Sequence, residues 1–212
     1  MRKWKIAAIL LVVLGSAAGA SYWYLHSRFH LLEWHEVTLS DFEARGQILD
    51  IGGGGEGIIG RLKGEQVLAI DISQEELDNA PPGPIKMVMD ARDLRFQDGR
   101  FNTATAFFTL MYIRGEDQEK VFREVFRVLT PGGRFLIWDA RLPKRAGEAG
   151  DTIMIPLTIR LPKEQVRTGY GTGWPEETQD LAYYSALARK AGFRIEDARE
   201  QNQIFTLQLG KP

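Results

Sequence analysis

The sequence contains no cysteine, which excludes disulfides, thiolate metal sites and a cysteine nucleophile together. Histidine is scarce. Its three copies, His26, His30 and His35, sit close together near the N-terminus, and no HExxH-type pattern accompanies them, so a surface role is favoured over a metal site. Charge of one sign is lacking too. The 27 basic and 28 acidic residues leave a net charge of -1, which supplies no electrostatic reason to expect a nucleic-acid partner. With 212 residues, 44% of them hydrophobic, there is room for one full-sized domain with a buried core and a short appendage, but not for two enzymatic domains.

The first feature present is a long apolar run. After the basic start MRKWK, the stretch from Ile6 to Leu25 carries no charged residue and has the ~20-residue length of a membrane-crossing helix. Tyr22, Trp23 and Tyr24 close it where aromatic rings favour the headgroup layer, and Arg28 follows. Residues 1–25 are therefore expected to form a single transmembrane anchor. The Ala18-Gly19-Ala20 segment also fits a cleavable signal peptide. Residues 26–45 read as a juxtamembrane linker with an amphipathic helix leading into the domain, and residues 46–212 as the domain itself.

From Gly46 onward, short apolar runs alternate with amphipathic stretches, the pattern of a mostly parallel sheet covered by helices on both faces. Strands are expected at Gln47–Ile51, Gln66–Ile72, Ile85–Ala91 and about Phe101–Leu110. Val121, Phe122, Val125, Phe126, Val128 and Leu129 mark one face of a helix over about 117–129, ended by Thr130-Pro131-Gly132. A fifth strand, RFLIWDA, follows. A further helix over about 178–191 stops at Gly192, and the remaining residues read as an antiparallel hairpin. Between them, about 142–175 forms a lid-like insertion with hairpin character. Ile155, Leu157, Tyr170 and Trp174 are its apolar acceptor-site candidates, since long insertions after a strand's carboxyl end sit over the ligand crevice of such sheets.

Chemistry concentrates at three strand ends. The loop Gly52–Gly57, GGGGEG, lets the backbone turn tightly and approach a ligand that side chains would exclude. Gly52, Gly54 and Gly57 also satisfy G-x-G-x-x-G, so the loop alone does not separate a nicotinamide dinucleotide from another nucleoside. Asp50 tips the balance. A carboxylate at the end of a buried strand needs donors or a cation, and an aminosulfonium ligand supplies one where a pyrophosphate would be repelled. Asp71, ending the second strand, can accept both hydroxyls of a ribose. Asp90 and Ala91, ending the third, suit an adenine edge, although an aspartate there can equally cap the following turn.

ILDIGGGGEG, followed about twenty residues later by VLAIDIS, then MDARDL and RVLTPGGRFLIWD (Arg127 to Asp139), resembles in order and spacing the motifs of the class I S-adenosylmethionine-dependent methyltransferases, with a type 11-like domain. The resemblance implies a Rossmann-like, mostly parallel seven-stranded sheet with an antiparallel C-terminal hairpin, S-adenosylmethionine as cofactor and a small-molecule acceptor. Carried over by position, Asp50, Gly52, Gly53 and Gly54 line the methionine end, Asp71 the ribose, and Ile72, Asp90 and Ala91 the adenine. Two departures stand out. Glu56 occupies the usual place of a third glycine, and Asn102 that of a common acidic residue; no NPPY-like tetrapeptide follows the fourth strand. Phe107, Phe108 and Tyr112 fit a core role better than substrate contact. If the acceptor is a hydroxyl, Asp139 and Tyr112 are the candidate bases, with an Asp139–Arg141 ion pair as the alternative for the former. An apolar lid beside a membrane anchor suggests a lipid-soluble acceptor such as a quinone precursor. The basic residues Arg2, Lys3 and Lys5 before the span would leave the domain outside, whereas a cytosolic cofactor requires it inside; a single-pass membrane protein with a cytoplasmic domain is the expectation. The competing functions are a nucleoside-binding scaffold without turnover and an NAD(P)-dependent oxidoreductase.

Overall fold

The computed structural model describes residues 29–147 and 150–212. Two short strands, β1 (Phe29–Leu31) and β2 (His35–Thr38), precede β3 (Ile48–Ile51), α1 (Ile58–Lys63), β4 (Val67–Asp71), α2 (Gln74–Asn79), β5 (Ile85–Val88) and β6 (Phe101–Phe107). Besides the 3-10 turn Gly64–Gln66 that follows α1, a second, Leu110–Tyr112, leads to α3 (Glu116–Val128), β7 (Leu129–Ala140), the hairpin β8 (Thr152–Arg160) and β9 (Gln165–Gly173), then α4 (Leu181–Ala191), β10 (Arg194–Gln201) and β11 (Ile204–Gly210).

Seven strands form the central sheet in the order β10-β11-β7-β6-β3-β4-β5. β3 to β7 run parallel, and β11 and β10 return antiparallel. The α/β, Rossmann-like sheet with its C-terminal hairpin matches the reading from sequence. Asn202 and Gln203, at φ 49° and 71°, make the left-handed two-residue connection that the twist of a hairpin favours.

Strand alternation sorts the core into two layers. Leu49, Ile51, Leu68, Ile70, Ala104 and Ala106 pack toward α3 and α4. Ile48, Val67 and Ala69 face the other way, onto α1, α2 and the β8 residues Ile153, Ile155, Leu157 and Ile159. Asp180 caps α4 by accepting the Tyr183 amide at 2.9 Å, and Gly192 ends it at φ 105°. α3 runs directly into β7. The expected Thr130-Pro131-Gly132 stop lies inside that strand, where pairing with β6 jumps from Phe101–Leu129 to Thr103–Arg134, so the TPGG segment loops out of the ladder.

The second sheet corrects the reading of residues 26–45. In place of an amphipathic helix, β1 and β2 pair in parallel with one edge of β8, and β9 pairs with the other. His35, Val37 and Leu39 are buried while Glu36, Thr38 and Ser40 are exposed, a period of two that belongs to a strand. Leu32 N donates to Met154 O and Leu39 N to Arg160 O, each at 2.9 Å. Even-numbered residues of β8 therefore present their backbone to this edge, and Pro156, which has no N–H, faces the gap between β1 and β2 where nothing is left unpaired.

The expected membrane localisation is also corrected. Among the described residues no helix is long and apolar enough to cross a membrane. The longest, α3, has 13 residues and spans about 20 Å, against a hydrocarbon core of about 30 Å. The anchor expected over Ile6 to Leu25 lies outside the described residues, as does His26.

Candidate active site

Because β3, β4, β5 and β6 run parallel, their carboxyl ends meet at one edge of the sheet, where open α/β sheets bind ligands. A cavity of about 860 Å³ lies there, large enough for a nucleoside cofactor and part of a second molecule. Its floor is the loop after β3. Gly52 adopts φ 69°, and a Cβ on it would stand 2.3 Å from Thr109 Cγ2. A Cβ on Gly53 would lie 2.7 Å from Asp50 Oδ2, and one on Gly54 2.9 Å from Asp71 Oδ2. The glycines thus keep clear the space around both carboxylates.

Asp50 is buried, and its Oδ1 accepts the hydroxyl of Thr105, its register partner on β6, at 2.7 Å. No described residue donates to Oδ2. Burial pushes this carboxyl up to about 7, the Thr105 bond opposing the shift and Asp71 adding to it. A buried carboxylate with one bond and a cavity beside it is suited to a cationic ligand group. Asp71 holds the next turn by accepting the Ser73 amide at 2.9 Å, and Ser73 caps α2 through the Glu76 amide at 3.3 Å. Ile72 lines the same cavity and is 68% exposed, an apolar surface open to a ligand.

Asp90 and Ala91 line the cavity but lie past the end of β5, in the turn that follows it. Arg92 donates to both oxygens of Asp90, at 2.9 Å and 2.6 Å, and its other arm reaches Asp117 at 2.6 Å. Arg92 holds the Asp90 carboxyl below its usual range. This turn-stabilising pair was not foreseen from the sequence, although a carboxylate keeps further acceptor capacity.

The two candidate bases separate. Tyr112 lines the cavity at 48% exposure. Burial, followed by the nearby Asp139 charge, pushes its phenol up to about 12, so it remains protonated at neutral pH. Asp139 does not line the cavity, which corrects the expectation of a base there. It is fully buried, with Oδ2 accepting the Met111 amide at 3.2 Å and Oδ1 the Ala140 amide at 2.8 Å; burial raises it to about 7 while these amides and that of Leu110 oppose the shift. Nor does it pair with Arg141, whose carboxylate partner is Glu200 at 4.0 Å. Asp139 anchors the 3-10 turn that presents Tyr112.

Phe107 and Phe108 are both buried and both face the cavity, and Phe108 has a left-handed backbone at φ 49°. A bulky residue in that region costs about 1–2 kcal/mol; it turns the chain out of β6 so that Thr109 bonds back to the Ile51 carbonyl at 3.0 Å. The hairpin contributes Gly169 and Tyr170, the latter stacked on Phe108 at 5.3 Å. Of the other lid candidates, Ile155 and Leu157 belong to the core, and Trp174 packs on His30 at 5.0 Å. Thr105, Glu56 and Arg92 were missed as site residues. Only Thr105 had a usable signal, since adjacent parallel strands align it with Asp50.

A doubly wound sheet with a glycine loop and acidic residues at successive strand ends defines a nucleoside-binding α/β protein. Residues 49–137 match the family model described as a methyltransferase domain. The matched residues form a methyltransferase domain, and S-adenosylmethionine-dependent methyltransferases are among the solved structures that share its fold. It is 34% identical over 126 residues to the ubiquinone/menaquinone biosynthesis C-methyltransferase UbiE of Vibrio campbellii, an alignment covering 52% of this chain and 48% of that one. The chain thus spans about half the length of the curated relatives it matches. Among solved structures, it resembles the PH0226 protein of Pyrococcus horikoshii with TM-score 0.57 and 23% identity, over 79% of this chain and 82% of that one. It also resembles an S-adenosylmethionine-dependent methyltransferase of Mesorhizobium loti with TM-score 0.56 and 17% identity, over 80% and 93%. At such identities these two likenesses concern the fold.

Proposed function

We propose that this protein transfers the methyl group of S-adenosylmethionine to a small-molecule acceptor that presents an apolar ring, of the quinone-precursor type. The observation that carries the reading is the pair Asp50 and Asp71, at adjacent strand ends, with a glycine loop leaving room at both carboxylates. Asp50 faces the ammonium end of the cofactor and Asp71 its ribose hydroxyls; Gly52, Gly53 and Gly54 let the methionine portion lie against the backbone. Ile72 and Ala91 cover the adenine ring, and Asp90 accepts from its amino group. When bound, the cofactor supplies a methyl group activated by a sulfonium, so the protein's work is alignment and exclusion of water. Phe108 and Tyr170 provide an apolar wall for the acceptor, and Tyr112 donates a hydrogen bond to an acceptor oxygen. The ring-bearing acceptor rests on that apolar wall and on the similarity to quinone C-methyltransferases.

Calorimetric titration with S-adenosylmethionine, S-adenosylhomocysteine and NAD, followed by transfer of a labelled methyl group to short-chain demethylated quinols, tests the reading. Binding of both sulfur nucleosides, with label appearing in a quinol, is expected. NAD binding alone would overturn the cofactor assignment, and label transfer only to acceptors without a ring would overturn the acceptor class.

A further inference from the structure

Glu56 is the only residue of the loop Gly52–Gly57 that has a side chain beyond hydrogen, and that side chain points to the hairpin. Its Oε1 accepts the hydroxyl of Thr168 on β9, and Tyr170, two residues on, lies close enough for the Glu56 charge to help raise its phenol, after burial. The next helix reinforces the connection. Arg61 Nε donates to the Glu56 carbonyl at 2.7 Å, while its Nη1 pairs with Glu164, just before β9, at 3.0 Å. The same stretch of β9 makes the acceptor-side wall. The Tyr170 ring stacks on Phe108 at 5.3 Å, and Tyr112 lines the same cavity.

We propose that Glu56 is a positioning residue that fastens the β8–β9 hairpin to the cofactor loop, so that the loop and the acceptor-side wall hold one arrangement together. The assignment of the two walls to cofactor and acceptor rests on the function proposed above; the fastening does not. A carboxylate accepting a hydroxyl makes a charge-assisted bond stronger than a neutral one, and a glycine at this position would leave Thr168 without that acceptor. Any ligand that orders the loop must then slow the opening of β9, and any molecule that stabilises β9 must favour the loop's bound form, since coupling between two sites is reciprocal.

Amide hydrogen exchange over residues 165–173 of the full chain tests this, for the wild type, Glu56→Ala, Glu56→Gln and Thr168→Val, each without ligand and with S-adenosylhomocysteine. Without ligand, Glu56→Ala is expected to speed exchange in this segment about tenfold, the consequence of losing one charge-assisted hydrogen bond; Glu56→Gln, which keeps an acceptor oxygen, restores most of the protection. Thr168→Val removes the same bond from the hairpin side and gives a similar increase, so the test survives if Glu56→Ala does not fold. S-adenosylhomocysteine slows exchange over 165–173 in the wild type and in Glu56→Gln, and this slowing is lost in Glu56→Ala. Exchange unchanged in both Glu56→Ala and Thr168→Val, or no rescue by Glu56→Gln, overturns the proposal. If S-adenosylhomocysteine binds none of the proteins, the cofactor reading fails, and the ligand-free comparison still decides the role of Glu56.

Discussion

Asp50 and Asp71 differ in what they spend on the protein and what they leave for a ligand. Asp71 gives one oxygen to the Ser73 amide, so Asp71→Ala removes little from the fold and should weaken S-adenosylmethionine binding about 10- to 100-fold, the range for hydrogen bonds to a charged group. Calorimetry alongside a thermal melt separates the two effects; unchanged affinity would remove Asp71 from the site. Asp50 predicts a pH dependence. Its carboxyl is raised to about 7, so it is ionised above that value and neutral below it. Binding of a cationic cofactor should therefore weaken about tenfold from pH 8 to pH 6, and Asp50→Asn should flatten the profile at low affinity. The stability of the ligand-free chain runs the opposite way. Because the folded carboxyl binds its proton more tightly than the unfolded one, Asp50 and Asp139 stabilise the fold most below about pH 4, and that contribution is lost as pH rises through about 7. A ligand-free thermal midpoint that rises from pH 5 to pH 8, and does so equally in Asp50→Asn, would contradict the assignment.

The 3-10 turn Leu110–Tyr112 shows how one element is held for its neighbours. Asp139 accepts the Met111 amide from behind. Gln118 of α3 donates to the Leu110 carbonyl at 3.1 Å and to the Tyr184 hydroxyl at 3.1 Å, tying the turn to α4. Thr172 of β9 donates to the Met111 carbonyl at 3.1 Å. Asp139→Ala leaves buried amides without an acceptor and should cost about 2–3 kcal/mol, measurable by urea unfolding. It should also alter the environment of Tyr112 without touching the cavity's carboxylates. A loss below about 0.5 kcal/mol, the usual range for a surface change, would mean that the turn is held by Gln118 and Thr172 alone.

The small sheet and the large one share a core. Ile153, Ile155, Leu157 and Ile159 of β8 pack in one cluster with Ile48, Val67 and Ile59, so neither sheet buries its apolar face without the other. Equilibrium unfolding should accordingly be a single transition, with tryptophan fluorescence and far-ultraviolet circular dichroism coinciding; Trp34 and Trp174 report on the small sheet and Trp138 on the large one. An early fluorescence change at constant ellipticity would show the small sheet opening independently. Ile155→Ala, at the shared core, should cost about 2–5 kcal/mol and lower the midpoint seen by both probes together.

The sequence by itself determined the central sheet, its strand order of chemistry and the floor of the cavity. Those signals are local: apolar runs of strand length, a glycine loop, and aspartates at strand ends. It also held the alternation of His35, Val37 and Leu39, but a period of two over five residues does not disclose its partner, and β2 pairs with β8 more than a hundred residues away. Tertiary structure alone decided the rest. Asp139 and Asp50 lie near the carboxyl ends of apolar runs of similar character, yet one faces backbone amides and the other the cavity, because the side of a strand that meets a turn is set by what packs there. Glu56 looked like an irregularity in a glycine pattern; only the folding of the hairpin over the loop brings Thr168 and Tyr170 to it. Spacing along the chain encodes which backbone shapes are allowed, whereas the partner of a buried polar group depends on contacts that spacing does not specify.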